Sequence, residues 1–255
     1  MNDVLILLAL TASAIGISTV AGAVCGLFIR NLGHQYNDMI LGSAGGIMLG
    51  SAVFGLIGPA AETPSPHALL LTVTGVFAGA LLIGALDRIT PHLHRLAGLD
   101  SEQHTHNKGV SRTLLFVSAI AIHKIPEGAA AGISFGTGEL NSVITVAGGI
   151  VLQNIPEAMV VIAPLLAIGV TVRRTLMIAT GIGAVSMAAT AAGFALVSVM
   201  HGLLPFILAF AGGTMLYVVS DEMIPETHSH GYEKQSTFAL LAGFMLILVL
   251  QHILG

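Results

Sequence analysis

The chain has 255 residues, 55% of them apolar and only 9% charged, with a mean hydropathy of +0.91. So few charges cannot keep a domain of this size dissolved in water, and the composition predicts a chain whose solvent is the bilayer. Nine Lys plus Arg with no basic patch exclude nucleic-acid binding, and Cys25 alone excludes a disulfide framework or a thiolate metal cage.

Apolar runs of spanning length fall at about 4–29, 39–60, 68–87, 112–135, 141–166, 173–199, 205–225 and 237–254, which predicts an all-α integral membrane protein of eight helices. The first run follows Met1-Asn2-Asp3, with no basic n-region, and is long enough to span, so it reads as a helix and not as a signal peptide. Connections are short except at 88–111, a polar loop carrying the pairs His92/His94 and His104/His106. The whole of 1–255 reads as one transmembrane domain.

Basic residues orient the spans. Arg30, Arg88, Arg95, Lys108, Arg112, Arg173, Arg174 and Lys234 all lie in or beside alternate loops, whereas the opposite side has only Asp3, Glu62 and Glu139. Because Lys and Arg accumulate on the cytoplasmic side, both termini are expected outside and the long loop inside the cell. The ninth basic residue, Lys124, sits inside span four.

Span four carries His123-Lys124-Ile125-Pro126-Glu127, and span five carries Gln153-Asn154-Ile155-Pro156-Glu157 thirty residues later. At ~1.5 Å rise per residue both motifs fall near the bilayer midplane. His123 and Glu127 are spaced i, i+4 and share a helix face, as do Gln153 and Glu157. Pro126 and Pro156 donate no helical hydrogen bond, which kinks each helix and frees the carbonyls of Ile122 and Leu152 at a depth where transporters line cavities. One imidazole, two carboxylates and an amide oxygen form a mixed N/O set suited to a borderline divalent ion such as zinc. A lone ionisable residue in a helix can be merely structural, but each costs ~2.5–3.5 kcal/mol at the bilayer centre, so two repeated pairs point to an ion path.

With these motifs the sequence resembles the ZIP (Zrt/Irt-like protein) family of divalent-metal transporters, bacterial branch. The resemblance rests on HKIPEG (123–128), QNIPEA (153–158) and SDEMIPETHSHG (220–231), and extends over the whole chain. It implies a 3+2+3 helix arrangement with an inverted repeat, and a metal site between spans four and five with His123, Glu127, Gln153 and Glu157 as ligands. Met48, in GGIMLG of span two, aligns with a thioether that joins the site in some members, or is packing. Relatives often hold a second metal using an Asn, an Asp and a Glu where this chain has Lys124, Asn154 and Ser186. A protonated ammonium cannot ligate a metal. Lys124 is therefore expected to stand in for the second ion and leave a one-metal site; the plainer alternative is that it snorkels or pairs locally.

Span seven runs inward, so Asp221, Glu222 and Glu226 are expected along a cytoplasmic exit path, followed by His228 and His230. The loop histidines, with His228 and His230, are candidates for weak metal capture, or belong to a solvated linker. The reading implies uptake of Zn²⁺ into the cytoplasm across the cell inner membrane by alternating access, with Cd²⁺, Fe²⁺ or Mn²⁺ as other cargo. Ligand groups must lose protons to bind, so affinity should fall in acid. The small-residue run GIGAVSMAATAAGFA of span six permits close packing within one subunit or in a homodimer. An intramembrane enzyme is disfavoured because H-E-x-x-H is missing; a metal-gated channel or metal-sensing membrane protein is the alternative.

Overall fold

The structure is a computed structural model that describes residues 2–29, 32–89, 123–167 and 169–254. His92, His94, His104 and His106, with the first part of the expected fourth span, lie outside the described residues.

All regular structure among the described residues is helical. The helices are α1 (Asn2–Ile29), α2 (His34–Ala52), α3 (Ala68–Ile89), α4 (from 123 to 134), α5 (Leu140–Ala167), α6 (Val172–Val199), α7 (Leu204–Val218) and α8 (Glu233–Leu254). Apart from α4, described only from 123, each is part of a segment long and apolar enough to cross a membrane. Leu10, Ile17, Phe77, Leu81, Phe238 and Ile253 stand exposed on the outside of the bundle, as lipid-facing side chains do. The expected spans at 4–29, 68–87, 141–166, 173–199 and 237–254 agree with α1, α3, α5, α6 and α8 to within a few residues at each end. Turns close where only glycine is comfortable: Gly138 (φ 71°) between α4 and α5, and Gly231 (φ 86°) between α7 and α8.

Two of the helices change pitch, which the apolar pattern did not foresee. α2 runs into a π-helical turn, Val53–Ile57, and then a short α-turn, Gly58–Glu62; α7 does the same through Val219–Met223 and Ile224–Thr227. In each case a proline, Pro59 or Pro225, lies at the start of the α-turn, six residues after the π-turn begins. The proline ring would strike the carbonyl four residues back, that of Gly55 or Asp221. Widening the turn relieves this. The i→i−5 bonds Gly58 N–H to Val53 O and Ile224 N–H to Val219 O mark it. The Gly55 carbonyl then accepts from Ser142 Oγ of α5 at 3.0 Å.

Small residues decide which helices touch. A Cβ on Gly16 of α1 would meet the Gly183 carbonyl of α6 at 3.2 Å, and one on Gly128 of α4 would meet the Ser186 carbonyl at 2.5 Å. Gly132 and Gly193 make the same close approach to Thr190 and Ala129. The α6 small-residue run is thus used inside the subunit, against α1 and α4. A second group forms as α2 packs on α8 through Gly46 and Leu240, and α3 on α7 through Gly79 and Phe210. Contact between the groups runs chiefly along α2 and α5, where Ser51 of α2 lies against Gly149.

Candidate metal centre

α4 and α5 each stay helical through their proline, so residues four apart remain on one face. The two PE motifs meet at Lys124. Its Nζ donates to Glu127 Oε2 at 2.5 Å, to Glu157 Oε2 at 2.5 Å and to Asn154 Oδ1 at 2.9 Å. An ammonium has three protons, and all three are placed. Lys124 and Glu127 are each 2% exposed, whereas Glu157 is only partly buried. Two carboxylates drawn to one buried cation offset a desolvation cost that neither charge could meet alone.

The remaining residues of the set are arranged differently. His123 Nε2 lies 2.9 Å from Glu222 Oε1 on the π-turn of α7. Gln153 is fully buried, and among the described residues neither its Nε2 nor its Oε1 has a hydrogen-bond partner. Met48 is buried in a core shared by α2, α5 and α7, with Ile150 and Met215 in the same cluster. Ser186, also buried, donates to the Ile182 carbonyl of its own helix at 3.2 Å. As placed, no three His, Cys, Asp or Glu side chains among the described residues converge to hold a metal. Lys124 thus holds the two carboxylates, and His123 lies against Glu222.

Toward the start of α8, Asp221 and Glu226 are exposed and Glu222 is partly buried. Both ring nitrogens of His228 are engaged, Nδ1 with the Ile224 carbonyl at 2.7 Å and Nε2 with Thr237 Oγ1 at 3.1 Å, so this side chain closes the α7 end. His230 Nδ1 lies 3.0 Å from Asp38 Oδ1, and its ring stacks on His34 with centroids 4.4 Å apart. That contact ties the α7–α8 connection to the first turns of α2.

Two partners escaped the sequence reading. Asn154 Nδ2 donates to Ile15 O at 3.3 Å and to Ser18 Oγ at 3.2 Å, bringing α1 into the cluster. The signal available was the adjacent Ser18-Thr19 pair in the middle of an apolar span. Glu222, expected along the exit path, instead lies against His123 from the π-turn of α7.

A family profile described as ZIP Zinc transporter matches residues 90–251. The chain belongs to the ZIP family. Zinc transporter GufA of Myxococcus xanthus is 39% identical over 246 residues, covering 94% of this chain and 96% of GufA. Zinc transporter ZIPB of Bordetella bronchiseptica is 34% identical over 244 residues, 93% of this chain and 78% of ZIPB. Zinc transporter ZupT of Streptococcus mutans is 26% identical over 252 residues, 94% of each chain. As a ZIP protein the chain is a multi-pass membrane transporter and not an enzyme.

Proposed function

We propose that this ZIP protein carries Zn²⁺ into the cytoplasm by alternating access, one ion per cycle, through a midplane site between α4 and α5. The ligands are His123, Glu127, Gln153 and Glu157, with Met48 alongside. The helices follow the 3+2+3 inverted-repeat arrangement of the resemblance, both termini lie outside, and the membrane is the cell inner membrane.

The observation that carries the reading is the Lys124 ammonium, hydrogen-bonded to one oxygen of Glu127 and one of Glu157. It supplies a fixed positive charge where a second cation would otherwise sit, and it uses Oε2 of each carboxylate, so that Oε1 is the oxygen for cargo. Gln153 supports the same reading, since a buried amide whose polar atoms have no partner among the described residues is costly unless something binds it. The His123–Glu222 contact then describes the unloaded carrier. Arriving Zn²⁺ recruits the imidazole, and Glu222, with Asp221 behind it, takes the ion onward as it leaves.

The test is Zn²⁺ flux into proteoliposomes with metal counted on the purified protein. Saturable uptake lost in Glu127→Ala, with one Zn²⁺ bound per chain, supports the reading. Unsaturable flux would assign a channel, and two ions per wild-type chain would remove the role given to Lys124.

A further inference from the structure

We propose that Ser18 of α1 is a positioning residue for the metal site: acting through the Asn154 amide, it holds the Lys124 ammonium at its station between the two carboxylates. This rests on the reading that Lys124 replaces a second ion.

Ser18 Oγ gives its single proton to the Ile15 carbonyl at 2.8 Å, which leaves the oxygen's lone pairs as its only remaining function. Asn154 Nδ2, 3.2 Å away, must therefore be the donor, and its other contact, Ile15 O at 3.3 Å, can also only accept. Both bonds drive the amide nitrogen toward α1 and the amide oxygen toward Lys124 Nζ, 2.9 Å away. Reversing the amide would break all three of its bonds and set nitrogen against ammonium and oxygen against the Ile15 carbonyl. Ser18 and Asn154 are 4% and 1% exposed, so water cannot substitute for either partner.

With its third acceptor fixed, the ammonium is held to the side of the carboxylates. Once that acceptor is loosened, the ammonium settles further onto Glu127 and Glu157 and competes with the incoming ion. α1 contributes no metal ligand, yet it sets how readily the carboxylates are released to cargo. The same geometry explains why Asn stands at 154: an aspartate there would face the Ile15 carbonyl oxygen.

The experiment measures Zn²⁺ KM in proteoliposomes and Zn²⁺ Kd by calorimetry for Ser18→Ala and Ser18→Thr, each in the native chain and in Lys124→Asn. Ser18→Ala should raise both constants about threefold to tenfold, the scale of one net hydrogen bond. Ser18→Thr, which keeps a hydroxyl for the same carbonyl, should restore them, and in Lys124→Asn neither substitution should matter. Ser18→Cys, close in size but a poor acceptor, should behave as Ser18→Ala and serves if the alanine variant folds badly. A shift of equal size in both backgrounds, or none in the native chain, would overturn the proposal. Metal counting on Lys124→Asn separately tests the one-ion reading, because that count does not depend on Ser18.

Discussion

His123 Nε2 lies 2.9 Å from Glu222 Oε1, joining the first turn described in α4 to the π-turn of α7. The imidazole proposed to receive the ion is thus already in contact with the carboxylate proposed to take it onward. Glu222→Ala should slow turnover more than it weakens binding. Losing the carboxylate that takes the ion onward should lower the maximal uptake rate by roughly tenfold, the effect of ~1.4 kcal/mol on a barrier. KM should change by less than about threefold. Initial-rate Zn²⁺ uptake checks this, and a pure KM effect would place Glu222 in the binding step instead.

Lys124→Met leaves Glu127 and Glu157 close together in a buried place with no shared cation. Removing one member of a buried ion pair costs ~3–5 kcal/mol, so the metal-free variant should unfold well below the native protein. Zn²⁺ should stabilise the variant more than it stabilises the native chain, because the ion can occupy the vacated position. Thermal unfolding with chelator and with Zn²⁺ reads both effects; equal stability of the two chains under chelator would count against the assigned ion pairs.

Ser142→Ala removes the hydroxyl that satisfies the Gly55 carbonyl beside Pro59. The expected loss is ~1–3 kcal/mol, the cost of a buried acceptor left unpaired. Urea unfolding should show it, with Ser198→Ala as the comparison. Ser198 is exposed and donates only within its own helix, so its loss should be nearly neutral.

Changing His92, His94, His104 and His106 together to alanine should leave Zn²⁺ uptake at more than about half the native rate, since short His tracts bind metal weakly. A complete loss of flux would move these side chains into the transport path.

The spans were legible because apolar length dictates them, and α1, α5, α6 and α8 lie within a few residues of their expected ends. The meeting of the two PE motifs was legible because i, i+4 spacing and a shared depth leave them few other places to go. The π-turns were not, since hydropathy is blind to hydrogen-bond register; only Gly58-Pro59 and Ile224-Pro225 hinted at them. Ser18 was hidden for another reason: its partner is 136 residues away, and a serine in an apolar helix usually bonds its own backbone, as this one also does. His230 stood out as a candidate metal ligand, yet its partner in the structure is the buried Asp38, a pairing across 192 residues that spacing cannot reveal.

The wide turns at Val53–Ile57 and Val219–Met223 each hold one amino acid more than an ordinary helix would use over the same length. A membrane helix normally has no tolerance for losing a residue, because every side chain beyond the cut rotates by about 100° onto the wrong face. Here the helix has slack. Deleting Ser220 would let the coil tighten while Ile224–Thr227 keeps its orientation, at the ~3 kcal/mol cost of the Pro225 clash that the wide turn relieves, whereas the same deletion at Gly212 would turn the rest of α7 away from α3. These two places are where the chain can change length without losing its bundle.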